Sequence, residues 1–188
     1  AIKLITRYLI RWGVPGWIFI LTVGFYYLLF VDSKNNRLSD LITDNATNLL
    51  SAAAFVLIIG IPIGYILNQI HHVWIWVWKV NHEEYFDYEM KLFQIFICHK
   101  NGEQIRERYK YLLTRVHELG GIVVALVISF LFILPHAIRN FSFCVLVFIV
   151  AMIVVWLFIK DSRDYYSKNL DSFTMYYVGM GSESIKKK

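Results

Sequence analysis

Four stretches of this 188-residue chain, residues 12–31, 49–70, 119–135 and 141–159, contain no Asp, Glu, Lys, Arg or His. A helix that crosses the hydrocarbon core of a bilayer needs roughly 20 apolar residues, within a range of about 17–25. Each stretch reaches that length, the third narrowly. With 57% of its residues hydrophobic, a soluble version of the chain would have to enclose four helices apolar on every face. A domain this small has too little interior for that. The sequence therefore predicts an all-α, polytopic membrane protein: four transmembrane helices, with a cytoplasmic helical hairpin between the second and third. The expected divisions are 1–70 for the first two spans and a short external loop, 71–118 for the hairpin, 119–159 for the last two spans and a tight external turn, and 160–188 for a cytoplasmic tail.

Positive charge orients these spans. Of nineteen Lys and Arg residues, sixteen lie before the first span, in 71–118 or after the fourth span, and only Lys34, Arg37 and Arg139 lie in the other two connections. The excess of Lys and Arg in cytoplasmic loops places both termini and 71–118 inside, at a plasma or inner membrane. Trp12, Trp17, Tyr26, Tyr27, Trp74, Trp76, Trp78 and Trp156 fall near segment ends, where amphipathic rings favour the interface. The basic stretch before the first apolar run is reminiscent of a signal peptide. That run is too long, however, and ends Leu29, Phe30, Val31, Asp32 without a small-residue cleavage pattern, so a retained span is expected. Cys98 and Cys144 fall in different compartments and predict no disulfide. Asn45, Ala46 and Thr47 match the glycosylation triplet, a common chance match so close to a span.

The 71–118 segment reads as two helices. Asn81 and Glu84 match a capping box, and Glu83, Glu84 and Asp87 favour the positive end of the first helix. That helix runs to about Cys98, and Lys100, Asn101 and Gly102 signal a turn. Its apolar residues form two stripes: Tyr85, Tyr88, Leu92 and Ile95 on one, and Phe86, Met90, Phe93 and Ile97 on the other. One stripe suffices for an intrachain partner; the second calls for another surface, or for burial on both sides within the hairpin. The second helix starts near Glu103. Ile105, Tyr109, Leu112, Val116 and Leu119 recur at spacings of four and three, a coiled-coil seam that continues through Val123, Leu126, Phe130 and Ile133. One helix of about 30 residues should thus run from the hairpin into the third span, with Gly120 and Gly121 as its weakest place. The hairpin's seven acids match its seven bases, which predicts attraction between the arms and argues against a nucleic-acid surface. In the tail, Tyr166, Leu170, Phe173 and Tyr177 share a helical face, and Gly179, Met180 and Gly181 mark its expected end.

No motif names a reaction. His71, His72, His82, His99 and His117 lie in one segment, but no pair has the i, i+4 spacing of a helical metal site, and adjacent His71 and His72 should face different ways. No metal, cofactor or catalytic residue is assigned. Arg115 and Glu118, three apart, can pair beside His117, which makes these three candidate switch residues. No Arg is followed four to six residues later by His, the spacing some nucleases use. In the second span Gly60, Pro62 and Gly64 combine a kink with a small-residue face, either a hinge or pore constriction or a packing surface, with Asn68 and Gln69 at its inner end. No span holds an ionisable residue, which weighs against ion-coupled transport and intramembrane catalysis.

In size and topology the chain resembles small multi-pass accessory or effector proteins found beside prokaryotic defence enzymes, a resemblance of plan without a shared motif. The sequence points to a non-enzymatic homo-oligomer in contact with membrane lipids, whose hairpin binds a cytoplasmic protein partner and relays its state to the bundle. Phe86, Met90, Phe93, Ile97, Tyr109, Leu112 and Val116 are the expected contact residues. An oligomeric pore is the alternative, and an enzyme using Arg115, His117 and Glu118 a second one.

Overall fold

The computed structural model describes the backbone over residues 2–31, 46–74 and 82–185, and side chains over 12–31, 50–51, 53–74 and 87–179. Among the described residues there are five helices: α1 (Ile2–Phe30), α2 (Ala46–His72), α3 (His82–Cys98), α4 (Gly102–Arg139) and α5 (Phe143–Ile185). All but α3 are long and apolar enough to cross a membrane. The expected Asn81 cap, the Asn45 triplet, Trp76, Trp78 and the Tyr85 and Phe86 side chains lie outside the described residues.

α4 is the hub. It packs against α1, α2, α3 and α5, whereas α5 packs chiefly on α4 and also on α3. Of the row expected on α4, Ile105, Leu112, Val116, Leu126 and Ile133 are buried, and Tyr109, Leu119, Val123 and Phe130 are half-buried. A second face, invisible in that periodicity, is buried too, through His117, Gly120, Gly121, Val124, Ala125 and Ser129. This is the face that receives α1 and α2, where Leu67, Val124 and Ala125 form a cluster flanked by Phe19 and Ile63. Buried Ser129 donates to the Ala125 carbonyl at 2.8 Å, so its hydroxyl needs no partner on another helix.

At one end, here the turn end, α4 passes to α5 through residues 140–142. The Asn140 amide donates to the His136 carbonyl at 2.9 Å and closes α4. The Ser142 hydroxyl accepts from the Val145 amide at 3.3 Å and caps α5. At the opposite, basic end, α2 finishes and α4 and α5 run on. At 1.5 Å per residue, 38-residue α4 is about 57 Å long, well beyond a hydrocarbon core of about 30 Å. The surplus is a three-helix extension of α3, the start of α4 and the end of α5. There Leu112, Val116 and Leu170 form a buried cluster with Tyr109, Tyr166 and Phe173 around it.

Two expectations change. α5 is one helix of 43 residues that runs through Lys160–Asp164 and past Gly179 and Gly181, where an end was expected. A helical glycine costs only about 1 kcal/mol relative to alanine, too little to stop a helix already this long. Trp17 is not an interfacial anchor: its ring lies on Gly60 and its indole donates to the Leu57 carbonyl at 3.1 Å.

Candidate functional site

The face around Gly60 and Gly64 is a packing surface between α1 and α2. A Cβ on Gly16 would strike the Gly60 carbonyl and come within 2.6 Å of the Gly64 amide nitrogen; one on Gly64 would strike the Trp12 carbonyl. The two backbones are in contact, the close approach that small-residue pairs permit in membranes. The glycines thus face α1 and line no opening within the chain, while Pro62 is exposed on the other side of α2.

Two turns further, α2 ends in a histidine cluster. His71 is fully buried, and its imidazole occupies the notch beside Gly120, where a Cβ would collide with the ring. Neighbouring Gly121 accommodates Pro15 of α1, whose Cγ would lie 2.9 Å from an added Cβ, and buried Asn68 lies alongside. Gly120 and Gly121, expected as the weak place in α4, are therefore a socket that takes one residue from each of two helices. His117, one turn earlier on α4, is also buried. Its ring is 6.0 Å from His71, nearly perpendicular, and 6.2 Å from exposed His72, nearly stacked. His71 and His72 do face differently, as adjacency requires, yet both reach His117 because it crosses the end of α2 between them. Sequence inspection missed this trio; the clue was a histidine three residues before a diglycine, an open notch near a polar ring. Among the described residues no group of three or more His, Cys, Asp or Glu is placed to hold a metal ion.

The next turn of α4 outward carries charge. Arg115 donates to Glu118 at 3.1 Å, the expected i, i+3 pair. The guanidinium also lies 5.6 Å from the ring centre of exposed Tyr111, and Arg108 lies 5.4 Å from the same ring. Donation from Arg115 to its oxygen holds the Tyr111 phenol below the usual tyrosine range. Tyr166 of α5, which donates its hydroxyl to Tyr111, is held above that range. This group ties α4 to α5 where both leave the bundle.

α3 divides its apolar residues between two faces. Leu92 is 1% exposed, and Tyr88 and Ile95 are half-buried against the extension. Met90, Phe93 and Ile97 are 60%, 54% and 68% exposed, an uncovered row on the far side. The other expected contact residues differ: Leu112 and Val116 are covered by Leu170, and Tyr109 is half-buried beside Phe96, so their apolar surface is satisfied within the chain. Gln69 lies with Tyr65, Ile66, Ile70, Val73 and Trp74 along an outward-facing apolar groove of α2. The expected charge attraction between arms is not found among the described residues. The ion pairs there are Arg115–Glu118 within α4 and Arg163–Asp164 within α5.

No protein family, curated protein or solved structure matches this chain.

Proposed function

We propose that this chain is a non-enzymatic, homo-oligomeric integral membrane protein, oriented with its basic end in the cytoplasm, that binds a partner on α3 and relays its state to the bundle through α4. A place beside a prokaryotic defence enzyme is one setting in which such a device works. The observation that carries the proposal is the continuity of α4. One helix bears the start of the extension, the histidine socket and the packing faces for α1 and α2. An uncovered apolar row on a helix packed against it is the natural place for a second protein. Displacing α3 then bears on α4 directly, without a flexible joint between. The site residues support this reading better than catalysis, since His117 is buried among rings rather than set in an open cleft. They also support it better than a pore at Gly60 and Gly64, whose faces α1 fills.

The test is the protein mass of the assembly in nanodiscs for wild type and for Phe93→Glu combined with Ile97→Glu. Wild type should be a multimer and the variant should lose subunits or its partner while keeping its helix content. A wild-type monomer, with partner binding indifferent to the two substitutions, contradicts the proposal.

A further inference from the structure

The described residues of the acidic arm do not pair with the basic one. Among the described residues no ion pair joins α3 to α4, and Arg108 has no carboxylate partner. Instead Arg108 and Arg115 are both drawn to one exposed tyrosine ring, 5.4 and 5.6 Å from its centre. Two guanidiniums held beside the same ring repel each other, and Glu118 offsets only one of them. Each keeps planar N–H donors beyond those already used, the geometry that meets phosphate oxygens in pairs. Tyr111, whose oxygen accepts from Arg115, keeps its own O–H to donate at the same surface. The arrangement is that of a receptor for a phosphate group.

Height along α4 selects the source of that phosphate. Arg115 lies one helical turn before Leu119, where the uncharged run begins, so it stands about 6 Å above the hydrocarbon boundary. The headgroup layer extends roughly 5–8 Å on each side of the core. The Arg115 backbone is thus within it, and Tyr111, one turn further out at about 12 Å, holds both guanidiniums at its outer edge. On α5, Lys160 lies over the Trp156 ring at 5.4 Å, a second basic and aromatic pairing where that helix emerges. Nucleic acid would call for a longer basic track clear of the bilayer.

We propose that Arg108, Tyr111 and Arg115 form a binding site for an anionic phospholipid headgroup of the cytoplasmic leaflet. The site rests on the membrane orientation proposed above. It gives the α4–α5 junction a ligand of its own, one turn from the histidine socket. Lipid composition would then bear on the same helix that α3 engages.

The experiment uses the full chain in detergent with equal amounts of phosphatidylglycerol and phosphatidylcholine, and native mass spectrometry reads which lipid stays bound. Wild type should retain phosphatidylglycerol preferentially. Arg108→Gln with Arg115→Gln should lower that preference roughly tenfold, since each basic residue near an anionic surface contributes measurably to attraction. Arg108→Lys with Arg115→Lys should restore part of it, and Glu118→Gln should raise it above wild type. A merely structural role for these residues would not reverse sign at Glu118. An unchanged preference in the double Gln variant, or none in wild type, overturns the site. So does displacement of the lipid by equimolar inorganic phosphate, which would make it a site for a soluble anion, or tighter retention of an oligonucleotide than of the lipid. Carbonate washing of the source membranes separates this from failure of the broader proposal. A chain released by carbonate is not integral to the membrane, whereas a retained chain indifferent to lipid charge defeats only the headgroup site.

Discussion

Each end of the bundle joins its helices through histidine, by different means. At the turn end, the hydroxyl of fully buried Tyr26 shares a 3.0 Å hydrogen bond with His136 Nδ1, linking α1 to α4. Phe30 and Phe148 pack their rings on Tyr26 at 5.0 and 5.4 Å, and Ile133, Ala137 and Val145 close the cluster. One directional bond inside a dense aromatic core fixes a single arrangement. At the basic end three imidazoles, two glycines and a proline meet in a socket, and the helices then continue into a charged extension with an apolar row uncovered. The rings there meet edge-on and stacked at 6.0 and 6.2 Å. The contrast fits the proposed function, in which the turn end holds the bundle together and the basic end changes.

The largest effect should come from filling the seam on which the basic end depends. Gly64→Leu drives a side chain into the α1 backbone at Trp12 and Gly16. Such overpacking costs about 1–3 kcal/mol where neighbours can yield, and backbone cannot, so a loss of at least about 3 kcal/mol is expected. Unfolding in a denaturing detergent series measures it, and a cost below about 1 kcal/mol would remove the α1–α2 contact from the account. A smaller change should follow at the turn end. Tyr26→Phe keeps the ring and deletes the bond to His136, for a loss of about 1 kcal/mol in the same assay. That variant should leave partner binding on α3 untouched; an effect there would erase the division between the ends.

The smallest expected effect is a pH dependence in the extension. Tyr88, half-buried on α3, has its phenol raised above its ordinary value of 10.0, chiefly by burial, with the nearby Asp171 carboxylate adding to the shift. Because the folded value is the higher one, the stabilising contribution is intact below pH 10 and is lost as pH rises through the folded value. Docking of α3 should therefore loosen in alkali, and Tyr88→Phe should remove that part of the dependence. Proteolytic nicking of α3 against pH reads both; identical profiles for wild type and variant would dissociate Tyr88 from docking.

Much of this was legible in the sequence because the signals are strong and local. Uncharged runs gave the apolar helices, the spacing from Ile105 to Ile133 gave the continuity of α4, and the two stripes of α3 separated into a covered and an uncovered face. What escaped depends on crossing geometry. No periodicity places His71 against Gly120, or Pro15 against Gly121, because the positions are far apart in sequence and meet only when three helices converge. Composition places Trp17 near an interface because it cannot show that Gly60 lies flat beneath the ring. Among the described residues no ion pair joins the arms, and the energetics do not require one. Exposed ion pairs contribute about 0–1 kcal/mol, so equal numbers of acids and bases do not force them together. α5 outran its expected end because a helical glycine is too weak a stop for a helix already this long.

The relay proposed through α4 is most directly tested by hydrogen exchange on the full chain in nanodiscs, comparing wild type with Phe93→Glu plus Ile97→Glu. Loss of the α3 contact should speed exchange of α4 amides from His117 to Ala125, around the histidine socket, and leave those near His136 unchanged. Equal protection at the socket in both proteins would contradict the account, because α3 could then be altered without α4 registering it.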